Sequence, residues 1–204
     1  LTRELARGSV TNVPSSHGTR TWGTAMSVAR ANPALSPRCG LNMALILDSS
    51  GSMQGRKLDT LKSAAKSVIG SLTGTPSRLA IYSFASHASA HPVALTKLTD
   101  AQAEQPLFDA IDSLRADGST NWDEGIYQAV GKTKQYDLAI VLTDGNPTTD
   151  HAGGAGRHTS FRNVDNGVVS ANTLKALGTR VVAIGIGVDG GGHHLSAISG
   201  PNGW

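Results

Sequence analysis

The chain has 204 residues, 39% of them hydrophobic and 16% charged, with 18 Lys and Arg against 15 Asp and Glu for a formal charge of +3. That length builds one good-sized core, alone or with an appendage, and the composition is neither low-complexity nor polyelectrolyte. No apolar run approaches the roughly 18 residues of a membrane span, and a lone cysteine, Cys39, excludes an internal disulfide framework and a cysteine-based zinc site.

Positive charge is unevenly spread. Residues 1–42 hold five arginines (Arg3, Arg7, Arg20, Arg30 and Arg38) against Glu4, whereas residues 43–204 carry 13 basic and 14 acidic side chains. Five scattered arginines lack the dense basic stripe of a nucleic-acid binder, so no nucleic-acid partner is expected. These 42 residues are rich in Ser, Thr, Gly, Arg and Pro and show no sustained period. They read as an N-terminal extension of loops and extended segments, with any strands belonging to a neighbouring module. The chain begins at Leu1 with no charged-then-apolar leader and stops in the turn-rich Ser199–Trp204. It is therefore expected to be a piece of a longer protein.

From residue 43 the pattern becomes regular. Met43–Asp48 is a short apolar run bounded by turn residues, a buried strand. Leu58, Leu61, Ala65, Val68, Ile69 and Leu72 recur at helical spacing, and Gly74-Thr-Pro76 ends that helix. Arg78–Phe84 is the next strand, with a shorter candidate at His91–Leu95. Leu107, Ala110, Ile111 and Leu114 mark a second helix. Trp122, Ile126, Ala129 and Val130 mark a third, opened by Ser119-Thr120-Asn121. Asp137–Leu142 is a strand, 145–160 a loop, 162–177 a helix and Arg180–Ile186 the last clear strand. Apolar runs alternating with amphipathic helices predict an α/β fold: a Rossmann-like, doubly wound, mostly parallel sheet with helices on both faces.

Ligands of such sheets bind beyond the carboxyl ends of the strands. The first strand ends in Asp48-Ser49-Ser50-Gly51-Ser52, one carboxylate followed by hydroxyls at alternate positions. The fourth ends in Leu142-Thr143-Asp144-Gly145, a second carboxylate at the same edge. Asp117-Gly118-Ser119-Thr120-Asn121 presents a further hydroxyl at a helix start. Two carboxylates and three hydroxyls make a hard, all-oxygen donor set, suited to Mg²⁺, Mn²⁺ or Ca²⁺ rather than zinc or copper.

Asp48-Ser-Ser50-Gly-Ser52, Thr120 and Asp144 resemble the D-x-S-x-S…T…D signature of the von Willebrand factor type A domain, with the three pieces in family order from about Met43 to Ile198. The resemblance implies a metal-ion-dependent adhesion site at the top of the sheet. Ser50 and Ser52 would bind Mg²⁺ (or Mn²⁺ or Ca²⁺) through their hydroxyls, Thr120 directly or through water, and Asp48 and Asp144 largely through waters. A carboxylate from a protein ligand would complete the coordination. It also implies a division into an extension, 1–42, and a type A domain, 43–204, that lacks the family's final strand and helix. More narrowly, the GSTNW turn and the AISGPNGW ending are similar to surface-anchored bacterial adhesins, including pilus-tip pilins, which implies a non-enzymatic module at the cell surface. An intracellular assembly or regulatory subunit is the alternative, and a metal-dependent hydrolase a third. Met53, Gln54, Asn121, Trp122 and Asn146, with Pro147 and the 145–160 loop, are expected near the rim of the site. Trp122 has two readings, a ligand contact or a packing residue early in its helix.

Other signals carry less. Gly185-Ile-Gly187-Val-Asp-Gly190 matches G-x-G-x-x-G after a strand, but more glycines follow in place of a helix, so it reads as a loop. His151, His158 and His193-His194 lack metal-site spacing and read as solvated loop residues. No G-x-S-x-G elbow exists, and Ser50 has no evident histidine partner. Cys39, in a turn-like Pro37-Arg-Cys-Gly40, reads as a buried small residue, a reactive thiol or half of a disulfide with a partner elsewhere; its setting favours the last.

Overall fold

A computed structural model describes residues 27–35, 37, 39–152, 156, 158–187 and 195–201. Residues 1–26, Gly190, His193, His194 and the closing Asn202–Trp204 lie outside the described residues. The described strands form one sheet in the order β3-β2-β1-β4-β5. β1 (Asn42–Asp48) runs through the middle, parallel to β2 (Arg78–Phe84) on one side and β4 (Leu138–Thr143) on the other. β5 (Arg180–Gly185) continues the parallel sheet beyond β4, and β3 (Val93–Lys97) closes the opposite edge antiparallel to β2. The register of β3 shifts between Leu79 and Ile81, and the strand sits two residues later than the sequence pattern predicts.

β1 is a continuous apolar run because both of its faces are covered. Met43, Leu45 and Leu47 pack with Leu58, Leu61, Ala65 and Ile69 of α1 (Arg56–Leu72) and with Leu107 and Ile111 of α2 (Ala101–Ser113). Ala44 and Ile46 face the other way. They join Trp122 and Ile126 of α3 (Trp122–Tyr127) and Ala171 and Leu174 of α4 (Phe161–Ala176). The two periodicities, 2 along the strands and 3.6 along the helices, thus meet in two apolar layers. Helices α2, α3 and α4 each begin on a side-chain cap. Asp100 accepts from Ala103 N, Asn121 from Glu124 N, and Ser160 forms a reciprocal capping box with Asn163.

Residues 27–35 form no strand and lie against this same domain. Arg30 N donates to Asn172 Oδ1 (2.8 Å), and Asn172 Nδ2 donates to Val28 O (2.9 Å). Asn32 stands where a neighbouring strand would: its Oδ1 accepts from Val181 N (2.7 Å) and its Nδ2 donates to Val181 O (2.8 Å). A short helix that the sequence pattern does not signal, α5 (Leu195–Ser199), takes another position on that edge, with Ser199 Oγ accepting from Ala183 N (2.9 Å). Buried Lys175 ties the pieces together. Its ammonium donates to the carbonyls of Arg30 (2.9 Å), Ile198 (2.5 Å) and Ser199 (3.0 Å). Cys39 is an exposed free thiol, not a buried residue.

Candidate functional site

Because β1 and β4 are parallel neighbours, their carboxyl ends and the residues that follow share one edge. After Asp48 the chain turns through Ser49 and Ser50 into a 3-10 turn, Gly51–Met53. Two backbone bonds fasten this turn to the loop before α3: Gly51 N donates to Gly118 O, and Asp117 N to Ser49 O (both 2.9 Å). Gly118 has φ +75°, and a Cβ there would stand 2.5 Å from Ser86 Oγ, so the turn requires glycine. Thr120 follows two residues later. It is bracketed by the loop after β4: Thr148 Oγ1 accepts from Thr120 N (3.1 Å), and Thr120 O accepts from Thr148 N (2.8 Å).

The five expected residues are brought to one edge. Asp48 is wholly buried; its Oδ1 accepts from Ser50 N (2.8 Å) and its Oδ2 from Thr143 Oγ1 (2.5 Å). Ser50 Oγ lies 3.1 Å from Ser52 Oγ, which donates to Asp144 Oδ1 (2.8 Å). Burial raises the Asp48 carboxyl to about pH 6, with Asp144's charge pushing the same way and the bonds from Thr143 and Ser50 only partly offsetting it. An anion desolvated beside a second anion is a place that favours a cation. Ser52, Thr120 and Asp144 open onto a groove of about 540 Å³, walled further by Asn146 and Thr148. Among the described residues no three His, Cys, Asp or Glu side chains gather as metal ligands, so hydroxyls must supply the remaining donors of any ion held here. Two carboxylates with Ser50, Ser52 and Thr120 have the chemistry for a hard divalent cation.

The rim differs from expectation. Met53, Asn121 and Trp122 are each 0% exposed. Met53 belongs to the α1 core, Trp122 packs under α4, and Asn121 spends its amide capping α3 and donating to Ser86 O (2.9 Å). None of the three is presented to a ligand. Pro147 is buried as well, whereas Gln54 is exposed and Asn146 lines the groove. Asn146 Oδ1 is buried with no hydrogen-bond partner among the described residues.

Residues 145–152 of the loop after β4 are held against the domain. Asp150 accepts from Arg162 Nε (2.6 Å) and Nη2 (3.0 Å). His151, expected in solvent, is half-buried with Nδ1 on Asp123 Oδ2, while Ser170 Oγ donates to Asp123 Oδ1 (2.5 Å). His158 is exposed. Two participants were not anticipated. Thr143 holds Asp48 from the last position of β4. Lys57 Nζ donates to Asp144 Oδ2 (2.7 Å), with its side chain 39% exposed. The sequence does carry a signal for Lys57: Arg56-Lys57 places two cations in the first turn of a helix, the end that disfavours them.

The profile of the von Willebrand factor type A domain matches residues 42–203. Among curated proteins, the uncharacterized protein sll0103 of Synechocystis sp. is 34% identical over 113 residues, covering 53% of this chain and 26% of its own length. Among solved structures, the pilus adhesin SpaC from Lactobacillus rhamnosus GG superposes with a TM-score of 0.65 at 15% identity, over 95% of this chain and 34% of SpaC. Proximal thread matrix protein 1 from the mussel byssus, with a zinc-occupied MIDAS motif, gives 0.55 at 22% identity over 80% of this chain and 40% of its own. The chain thus spans about a quarter to two-fifths of the length of these relatives, and its likeness to the two structures is one of fold. With the profile matched from the first strand to the last helix, the chain belongs to the von Willebrand factor type A domain family.

Proposed function

We propose that the domain is a cation-dependent protein-binding module. Asp48, Ser50, Ser52, Thr120 and Asp144 would hold the cation, Mg²⁺ in the first instance and Mn²⁺ or Ca²⁺ as substitutes. When bound, the ion supplies a positively charged, partly hydrated position at which a carboxylate of a protein ligand replaces water. The observation that carries this reading is the hydrogen-bonded chain from buried Asp48 through Ser50 and Ser52 to Asp144, beside an open groove that Ser52, Thr120 and Asp144 line. Thr143 and Ser50 N orient Asp48, Ser52 orients Asp144, and the Thr148 bracket sets the height of Thr120.

The reading is of a binding module and not an enzyme. Ser50 Oγ pairs with Ser52 rather than with a base. The likeness to a pilus adhesin supports a place on a bacterial cell surface, as part of a longer adhesin. On this reading the functional domain is 43–204 and the extension is 1–42, whose residues 27–35 brace β5. No helix among the described residues is long and apolar enough to cross a membrane.

The test is retention of the immobilised protein's ligands with and without excess chelator. Binding should be lost in chelator and in Asp48→Ala, Ser50→Ala and Asp144→Ala, each folded by circular dichroism. Tight binding that persists in chelator contradicts the reading.

A further inference from the structure

The groove already contains a cation that belongs to the chain. Lys57 leaves the first turn of α1, and its stem runs past Gly187, where a Cβ would stand 3.5 Å from Lys57 Cε and 3.6 Å from Cγ. It ends on Asp144 Oδ2 at 2.7 Å, and Ser52 holds the other oxygen at 2.8 Å, so both oxygens of Asp144 carry donors from this chain. The helix terminus repels an ammonium, and Arg56 adds a like charge next door. Asp144 is the contact that keeps Lys57 there.

We propose that Lys57 is an internal counter-ion that competes with the divalent cation for Asp144 and thereby sets the cation concentration at which the site loads. This inference rests on the cation-binding reading above. With Lys57 seated, two carboxylates face one ammonium, and the edge carries one net negative charge. Without it, the edge carries two, the count that a divalent ion neutralises. An ammonium and a divalent ion at contact distance from one carboxylate repel each other strongly in a partly buried site. Loading therefore requires Lys57 to leave Asp144. The side chain is 39% exposed and borders the groove, so it has somewhere to go. A lysine here is a movable plug, in contrast to the rigid bidentate fork that an arginine would offer.

The experiment is calorimetric titration of the metal-stripped chain with Mn²⁺, comparing the native sequence with Lys57→Met, which keeps the stem beside Gly187 and removes the charge. Thermal melts in chelator and in saturating Mn²⁺ run alongside. The Met variant should bind Mn²⁺ roughly tenfold tighter or more. It should also melt below the native protein in chelator, with the gap closing in Mn²⁺. Lys57→Gln, which retains a neutral donor for Asp144, repeats the comparison if the Met variant does not fold. Native protein that binds Mn²⁺ no more weakly than both neutral variants overturns the Lys57 inference and leaves the cation site standing. Folded native and variant proteins that all fail to bind overturn both.

Discussion

Two regions of this domain bury polar and charged groups, and they resolve the burial differently. Along the outer edge of β5, Lys175 meets three carbonyls, and Asn32 satisfies both backbone groups of Val181. Every one of these partners is a neutral dipole held in place by the fold. At the carboxyl ends of β1 and β4, two carboxylates are joined through Ser50 and Ser52, with Lys57 as the cation in contact. Burial pushes the Lys175 ammonium down to about pH 8, helped by the charge of Arg30, and pushes Asp48 up to about pH 6. The physics is the same in both places, desolvation acting against the charged form. The outcome differs because the first region is complete without a guest and the second carries surplus negative charge. A complete polar network is a structural staple; one short of positive charge is a place for a ligand.

Breaking the staple should produce the largest effect. Lys175→Ala leaves the carbonyls of Arg30, Ile198 and Ser199 without their donor and removes buried packing, a loss of roughly 3–4 kcal/mol in urea unfolding. Cation binding should not change, since no site residue is touched. The pH dependence has a definite sign: an unfolded Lys175 binds its proton up to about pH 10.5 and the folded one only to about 8. Its contribution to stability therefore rises with pH across that window.

Removing the surplus charge should act in the opposite direction. Asp48 has a folded value of about 6 against 3.8 unfolded, so it favours folding below pH 3.8 and loses that contribution as pH climbs through 6. Asp48→Asn should then raise the stability of chelator-treated protein at pH 7 by roughly 2–3 kcal/mol, and by nearly nothing at pH 3.5. A variant less stable than the native protein at pH 7 would erase the contrast between the two regions.

The smallest effects come from single side-chain acceptors. Thr148→Val and Ser160→Ala each remove one side-chain acceptor, for Thr120 N and Asn163 N, and each should cost about 1 kcal/mol. Only Thr148→Val should also weaken cation binding, by several fold, because it releases Thr120. Equal affinities for the two variants would detach the loop from the site.

The sheet and its helices are legible in the sequence because their signals are local. β1 is apolar at every position from Met43 to Leu47, and α1 repeats Leu58, Leu61, Ala65 and Ile69 on one face. The five oxygen-bearing residues at the edge are equally legible, since strand ends in a parallel sheet fall together. The rim is not. Trp122 is buried because Gly167, 45 residues later, lets α4 approach so closely that a Cβ there would stand 3.0 Å from the Trp122 Cβ. Asn121 looks like a free amide until its cap and its bond to Ser86 O are seen. The docking of residues 27–35 rests on Asn32, Asn172 and Lys175, polar residues without period, and His151 is recruited by Asp123 from a different element. Contacts between polar groups distant in the chain leave no periodic trace.

Calorimetric titration of the metal-stripped protein with Mg²⁺, Mn²⁺ and Ca²⁺ beside Asp48→Ala reads out whether this edge is a cation site. Saturable binding at one site is expected in the native protein and none in the variant. A folded native protein that takes up no cation, or a variant that binds as well as the native protein, would contradict it.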